Sequence, residues 1–151
     1  MKILNKTLEF QTKEEFDFID FTDKIQVFIE SSKIKDGIIN IQTMHTTAPL
    51  LVNENEPLLL EDFKNHLRKM SPKELEYNHN DFTKRTVNMC FDECKNGHSH
   101  CLALHFPSTV TLNIIEGKLQ FGEWQRIFLV ELDHSRLRKL QMQILGNYAE
   151  I

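Results

Sequence analysis

No stretch of this 151-residue sequence stays apolar over the roughly 20 residues that a bilayer-crossing helix needs. The longest apolar tendencies, Leu58-Leu59-Leu60 and Ile127-Phe128-Leu129-Val130, are far shorter. The opening residues, Met1 to Lys6, lack a sustained apolar segment and a small-residue cleavage site, so no signal peptide is expected. Positive charge is not in excess either. With 18 Lys and Arg against 22 Asp and Glu, the formal net charge is -4, without the basic balance of a general nucleic-acid binder. Cysteine is scarce. Three residues, Cys90, Cys94 and Cys101, cannot all pair, and without a secretion signal free thiols in a reducing cytoplasm are expected. Their spacing lacks the paired second half of a structural zinc site. A Gly-rich phosphate loop, a Gly-x-Ser-x-Gly elbow and a His-Glu-x-x-His helix are all missing, as are internal repeats, low-complexity tracts and linkers. What remains is one domain over residues 1–151, 40% hydrophobic and 26% charged, long enough to bury a core without staples.

Leu4 to Phe10 alternates apolar and polar as a strand does, and Glu15 to Phe21 is a second strand candidate. Thr22 or Asp23 can cap a helix carried by Ile25, Phe28 and Ile29, with Asp36-Gly37 ending the connection. Ile38 to Thr43 reads as a buried β-branched strand running into His45, and Leu50-Leu51-Val52 as a short apolar run. Pro57 suits the first position of a helix with an apolar stripe of Leu60, Phe63, Leu67 and Met70, stopped by Ser71-Pro72. Residues 73–97 are polar without a clean period, long for an idle connection. From Ser99 onward the pattern predicts strands, with alternation at Val110, Leu112 and Ile114, a turn at Glu116-Gly117-Lys118, an apolar run over Ile127–Leu132, and alternation at Leu140, Met142 and Ile144. Strands at both ends and helices between them predict an α+β domain, a sandwich or barrel flanked by helices.

Histidine is the abundant feature, with seven in the chain. It titrates nearest neutrality and is the commonest neutral metal ligand. His45, His79, His98 and His100 sit in polar, motif-like settings, whereas His66, His105 and His134 read as structural or surface residues. If His98-Ser99-His100 is extended, both rings project from one face toward one ion or anion. Asp81 is placed to orient His79 as a second partner. Thr46 and Thr47 offer hydroxyls to phosphate oxygens, and Arg85 and Arg136 offer guanidinium forks. The cysteines are expected to be inert or mildly redox-sensitive.

Taken together, His45-Thr46-Thr47-Ala48, Asn53-Glu54, Tyr77-x-His79, Asn96-Gly97-His98-Ser99-His100, Gly117-x-Leu119-x-x-Gly122-x-Trp124-Gln125 and Glu131-x-Asp133-x-x-Arg136 resemble the YjbQ-like family, also called the secondary thiamine-phosphate synthase family. The stretch Asn80 to Met89 resembles one subgroup of it. The chain departs from the family pattern at Pro107, at Asn113 and at His134-Ser135, while His45, His79, His100 and Arg136 remain. The resemblance implies a mostly antiparallel β-sandwich of jelly-roll type with two or three flanking helices, assembled as a homotrimer. It also implies a His-rich site near subunit boundaries, with a divalent metal (Zn or Mg). The implied activity joins hydroxymethylpyrimidine diphosphate to thiazole phosphate and releases pyrophosphate. For that chemistry His45, His79 and His100 are the expected metal or diphosphate ligands, and Asp81 the group that orients His79. Arg136, Thr46 and Thr47 are expected on phosphate oxygens, with His98, Asn96, Arg85 and Asn88 as second choices. Two other readings stand beside it: a cupin-like metal enzyme using His98-x-His100, and a non-catalytic protein binding a phosphorylated metabolite or a metal.

Overall fold

The computed structural model describes residues 1–148; residues 149–151 of the expected domain lie outside the described residues. The chain runs β1 (Lys2–Gln11), β2 (Phe18–Asp20), α1 (Thr22–Ser32), β3 (Ile34–Thr43), β4 (Leu50–Asn53), α2 (Pro57–Met70), a 3-10 turn (Asn78–Asn80), α3 (Gly97–Ala103), β5 (Thr109–Ile115), β6 (Lys118–Leu119), β7 (Arg126–Val130) and β8 (Leu137–Tyr148). The strands pair antiparallel in two sheets, ordered β1-β8-β3-β5-β6 and β2-β7-β4, so the fold is α+β, with three α-helices among the described residues. Among the described residues, no helix is long and apolar enough to cross a membrane.

The inward residues of the larger sheet (Ile39, Ile41, Leu140, Met142, Ile144) meet Leu50, Ile127 and Leu129 of the smaller one, and α1 adds Ile25, Phe28 and Ile29. On the other side of the smaller sheet, Phe128 and Val130 pack with Leu67 of α2 and Leu102 of α3. Strand β7 is therefore buried on both faces, which is why its sequence is a continuous apolar run rather than an alternation.

Four elements differ from the sequence reading. The strand expected over Glu15–Phe21 shrinks to Phe18–Asp20, because Phe16 takes a positive φ of 61° and turns its ring into the second apolar cluster. The first turn of α1 is served by neither Thr22 nor Asp23: Asp20 Oδ1 accepts the Thr22 amide at 3.0 Å, and Thr22 Oγ1 accepts from the Ile127 amide at 2.8 Å. Asp36-Gly37 lies inside β3, and the chain turns earlier, at Lys33 with φ 61°. Glycine is required at 37 because a Cβ there would sit 2.3 Å from the Leu145 carbonyl oxygen of the neighbouring strand. Finally, Gly97–Ala103 is a helix, not a strand. By contrast α2 begins at Pro57 and ends at Met70 before Ser71-Pro72, with the Glu56 carboxylate accepting the Leu58 and Leu59 amides at 3.0 and 2.8 Å.

Candidate functional site

Four buried side-chain atoms have no hydrogen-bond partner among the described residues: His79 Nε2, Asn96 Oδ1, His98 Nδ1 and Arg136 Nε. An unpaired buried polar group costs about 1–3 kcal/mol, and folded proteins keep few of them. Three of them, on His79, Asn96 and Arg136, are connected. Asn96 and His98 flank the start of α3, His79 faces α3, and Asn96 and Arg136 share the Asp133 carboxylate at 3.0 and 2.6 Å. His98 Nδ1 stands apart from the other three, on a ring whose Nε2 is turned to Glu15.

Local packing builds the histidine pair. Tyr77 donates its hydroxyl to the Pro72 carbonyl at 2.8 Å and lies 2.9 Å from Ser71 Oγ, which fixes the start of the 3-10 turn. The Gly97 amide donates to Asn80 Oδ1 at 2.9 Å, and a Cβ on residue 97 would stand 2.6 Å from Tyr77 Cβ. Only glycine lets α3 dock this closely on the turn. The docking brings the His79 and His100 rings to a centroid separation of 4.6 Å, edge to face. Because α3 is helical, residues two apart point about 200° away from each other. The shared face expected for His98 and His100 is therefore absent. His98 turns inward, with Nε2 2.8 Å from Glu15 Oε1, while His100 faces His79.

Charge is arranged around the pair. Burial and then the neighbouring His79 push the His100 pKa down, toward a neutral ring. Arg85 donates to Glu93 at 2.8 Å and to the Asn88 carbonyl at 2.6 Å, with Asn88 at φ 52°. The Cys90 amide and Arg85 hold the Glu93 carboxyl below its usual range. On the other flank, burial works against ionised Asp133, but hydrogen bonds from Asn96 and His134 and the charge of Arg136 keep its pKa low. Cys94, Asp133 and His134 place one ligand atom each within 4.8 Å of one another, the only such group among the described residues. A guanidinium already stands there. Arg136 Nη2 lies 2.6 Å from Asp133 Oδ2, 2.7 Å from His134 Nδ1 and 3.9 Å from Cys94 Sγ. Burial and Asp133 push the Cys94 thiol up, away from the thiolate a metal needs.

His45 lies to one side of this cluster. Its Nε2 accepts the Lys139 amide at 2.7 Å, which leaves the ring proton on Nδ1. Burial first, then Arg138, lower its pKa. The charges it senses are Arg138, Glu131 and Arg136, whereas His100 senses His79, Asp133, Arg85 and Glu93. Arg136, which acts on His45, is paired with Asp133, which acts on His100. Thr47 Oγ1 is buried and accepts from Arg138 at 3.1 Å, and Thr46 is exposed. Asp81 does not hydrogen-bond His79. Its carboxylate is spent on Lys84 and Thr83, which draw its pKa down to about 2.

Of the predicted site residues, His79, His100, Asn96, Arg85 and Arg136 come together, while Asp81, Thr46 and the Nε2 of His45 are directed elsewhere. Sequence reasoning missed Glu93, Cys94, Asp133 and His134 as members of the cluster. It also missed the buried pair behind it, in which Arg138 donates Nε to Glu131 Oε2 at 2.7 Å while Thr12 donates to the same oxygen at 2.9 Å. The available signal was Glu131 itself, an acid set directly after the apolar run Ile127–Val130. A carboxylate in that position needs a buried cation. His66 and His105 lie exposed beside an apolar groove lined by Phe18, Phe63 and Phe106.

Comparison with known proteins gives a consistent result. Residues 6–147 match the model of the family described as UPF0047 protein YjbQ-like. A UPF0047 protein of Methanothermobacter thermautotrophicus is 31% identical over 146 residues, covering 97% of this chain and 94% of the relative. Among solved structures, a YbjQ-like protein of unknown function from Sulfolobus solfataricus superposes with a TM-score of 0.85 at 32% identity, over 97% of this chain and 99% of that one. A YjbQ/UPF0047-family protein from Clostridium acetobutylicum gives 0.80 at 30% identity, over 93% and 99%.

Proposed function

The chain belongs to the YjbQ-like UPF0047 family, and from that premise we propose that it is a transferase of the secondary thiamine-phosphate synthase type. It joins hydroxymethylpyrimidine diphosphate to thiazole phosphate and releases pyrophosphate. The observation that carries this reading is the set of unpartnered buried atoms on His79, Asn96 and Arg136, with Arg85 beside them. Departure of pyrophosphate from a benzylic-like carbon develops charge at both ends of the breaking bond. Donors fixed in advance on the phosphate oxygens lower that barrier, and holding the two substrates together removes an entropic cost. Arg85 and Arg136 bind phosphate oxygens through planar forks. The Nδ1–H of His45 adds a hydrogen bond, with Thr46 at the rim, while the free Oδ1 of Asn96 accepts from a substrate N–H or hydroxyl. His79 and His100 face the leaving group. The divalent ion implied by the family has a fitting donor pair in His79, whose Nε2 is buried and unpartnered, and the His100 ring beside it. Two imidazoles suit zinc better than magnesium. When bound, such an ion supplies Lewis-acid charge to the departing diphosphate. The jelly-roll wrap, the trimer and the cytoplasmic setting belong to the same proposal.

The cupin-like alternative loses its basis, because a helical His98-Ser99-His100 cannot aim both rings at one ion. A non-catalytic phosphometabolite binder is favoured by one feature: both guanidiniums are already paired with carboxylates, Glu93 and Asp133. The test separates the two. Purified protein given both substrates is expected to release pyrophosphate, and His100→Ala to lose about a hundredfold in rate while keeping its circular dichroism spectrum. Tight diphosphate binding without turnover would replace the transferase reading with the binder. Neither binding nor turnover would end both.

A further inference from the structure

Behind the candidate site the fold buries an ion pair, Glu131 on the loop after β7 and Arg138 on β8. Each carboxylate oxygen of Glu131 accepts twice. Oε2 takes Arg138 Nε at 2.7 Å and the Thr12 hydroxyl at 2.9 Å. Oε1 takes Arg138 Nη2, and also the backbone amide of Asp133 at 3.0 Å. Thr12 extends the grip. Its hydroxyl oxygen accepts the Arg136 amide at 2.9 Å, and its carbonyl accepts the Ser135 hydroxyl at 2.7 Å. The loop 131–136 is therefore clamped at Asp133, Ser135 and Arg136. That loop in turn holds two members of the site, because one oxygen of Asp133, Oδ2, accepts both Asn96 Nδ2 at 3.0 Å and Arg136 Nη2 at 2.6 Å. Asn96 precedes α3, where an asparagine ordinarily turns its oxygen onto a free amide of the first turn. It makes no such bond. Its nitrogen is drawn to Asp133 instead, and Oδ1 stays buried without a partner among the described residues, as does Arg136 Nε.

On the same reading of this cluster as a site for a phosphorylated ligand, we propose that Glu131 and Arg138 are its positioning residues. They set the 131–136 loop so that Asn96 Oδ1 and Arg136 Nε stay free for that ligand. Stability does not account for the pair. Taking two charges out of water offsets much of their attraction, and neutral residues of similar volume often serve a core as well or better. Two methionines would fill the space, but neither could accept the Asp133 amide or the Thr12 hydroxyl. What the charged pair adds is direction. Arg138 meets Glu131 fork to fork, through Nε and Nη2, a planar geometry that fixes the carboxylate and with it the Asp133 amide. With the loop displaced, Asn96 is free to turn Oδ1 onto the start of α3, and the acceptor is lost to the ligand. The pair also reaches the His45 side of the site. Arg138 Nη2 donates to Thr47, two residues beyond His45, and the amide that holds the His45 ring belongs to Lys139, next to Arg138 on β8.

The double variant Glu131→Met, Arg138→Met of the full chain tests this, once a cooperative unfolding transition and an unchanged far-UV circular dichroism spectrum show it folded. In the ligand-free wild type, one proton of the Asn96 side-chain amide is expected downfield of the ordinary asparagine position, drawn there by Asp133. In the variant the resonance is expected to return toward that position, a change that a merely structural pair would not produce. Affinity for inorganic pyrophosphate, read by calorimetry, is expected to fall about 10- to 100-fold, the usual loss when the partners that orient a site's ligands are removed. If the double variant does not fold, Thr12→Val takes its place. It removes only the hydroxyl between Glu131 and the Arg136 amide, so a smaller shift and a smaller loss in the same directions are expected. An unmoved Asn96 resonance, or an unchanged pyrophosphate affinity, in a folded variant overturns the proposal. Wild-type protein that binds no pyrophosphate overturns the phosphate-site reading itself, and the ligand-free resonance then still decides whether the pair sets the loop.

Discussion

His45 and His100 both resist protonation in the fold, chiefly through burial, then through Arg138 for the first and His79 for the second. The unfolded chain binds protons on these rings more readily, starting near the ordinary imidazole value of 6.5. Their contribution to stability is therefore intact above that pH and drains away as pH falls from 6.5 through the depressed folded-state values. Asp133, Glu93 and Asp81 are held below their ordinary pKa, so their stabilisation is lost only in a more acid window, below about pH 4. The expected outcome is a urea midpoint that drops between about pH 7.5 and 5, with a shallower slope in His100→Gln. Residue identity was legible here and residue partnership was not. In the sequence, His79 and Asn96 stand out in a polar stretch, His100 just beyond it, and Arg136 in the Glu131-x-Asp133-x-x-Arg136 motif. Nothing in it says that Asp81 prefers Lys84 to His79, or that the Nε2 of His45 is taken by a backbone amide.

At the scale of elements, α3 decides the geometry of the site. Its seven residues begin Gly-His-Ser-His, with no apolar period to announce a helix. Its conformation is held by tertiary contact: Leu102 is 1% exposed in the second apolar cluster, and the Gly97 amide bonds Asn80. Gly97→Ala is expected to force the 3-10 turn away from α3, costing about 1–3 kcal/mol as an overpacked contact. It should also separate His79 from His100, with a larger proportional loss of turnover or ligand affinity than of stability. Denaturation and a substrate titration on the same variant check this, and equal small losses in both would remove Gly97 from its role. Helix α2 was legible in advance because proline at its start, an apolar stripe of Leu60, Phe63, Leu67 and Met70, and Ser71-Pro72 at its end all agree. Strand β3 was half legible: the β-branched run was clear, but Gly37 reads as a turn until the neighbouring strand's Leu145 carbonyl is seen against it.

For the molecule as a whole, β7 ties the two apolar clusters together, with Ile127 and Leu129 on one side and Phe128 and Val130 on the other. Truncating Phe128 removes the centre of the layer beneath α2 and α3. Phe128→Ala is expected to cost about 3–5 kcal/mol, read by chemical denaturation as one lowered transition, since both clusters share the strand. The amino-acid sequence by itself determined the class of the protein: an α+β fold, no apolar run of bilayer length, a histidine-rich polar segment, and the family to which the chain belongs. Those properties follow from composition, short-range period and motif order, which need no knowledge of distant contacts. Only the tertiary structure decided that His98 and His100 point apart, that Arg136 fills the Cys94–Asp133–His134 cluster, and that Glu131 is matched by Arg138. The first depends on a short helix stabilised from outside itself, and the second on Cys94 arriving from 42 residues away. Glu131 and Arg138, seven residues apart, meet in a buried network completed by Thr12 and Thr47 from distant loops.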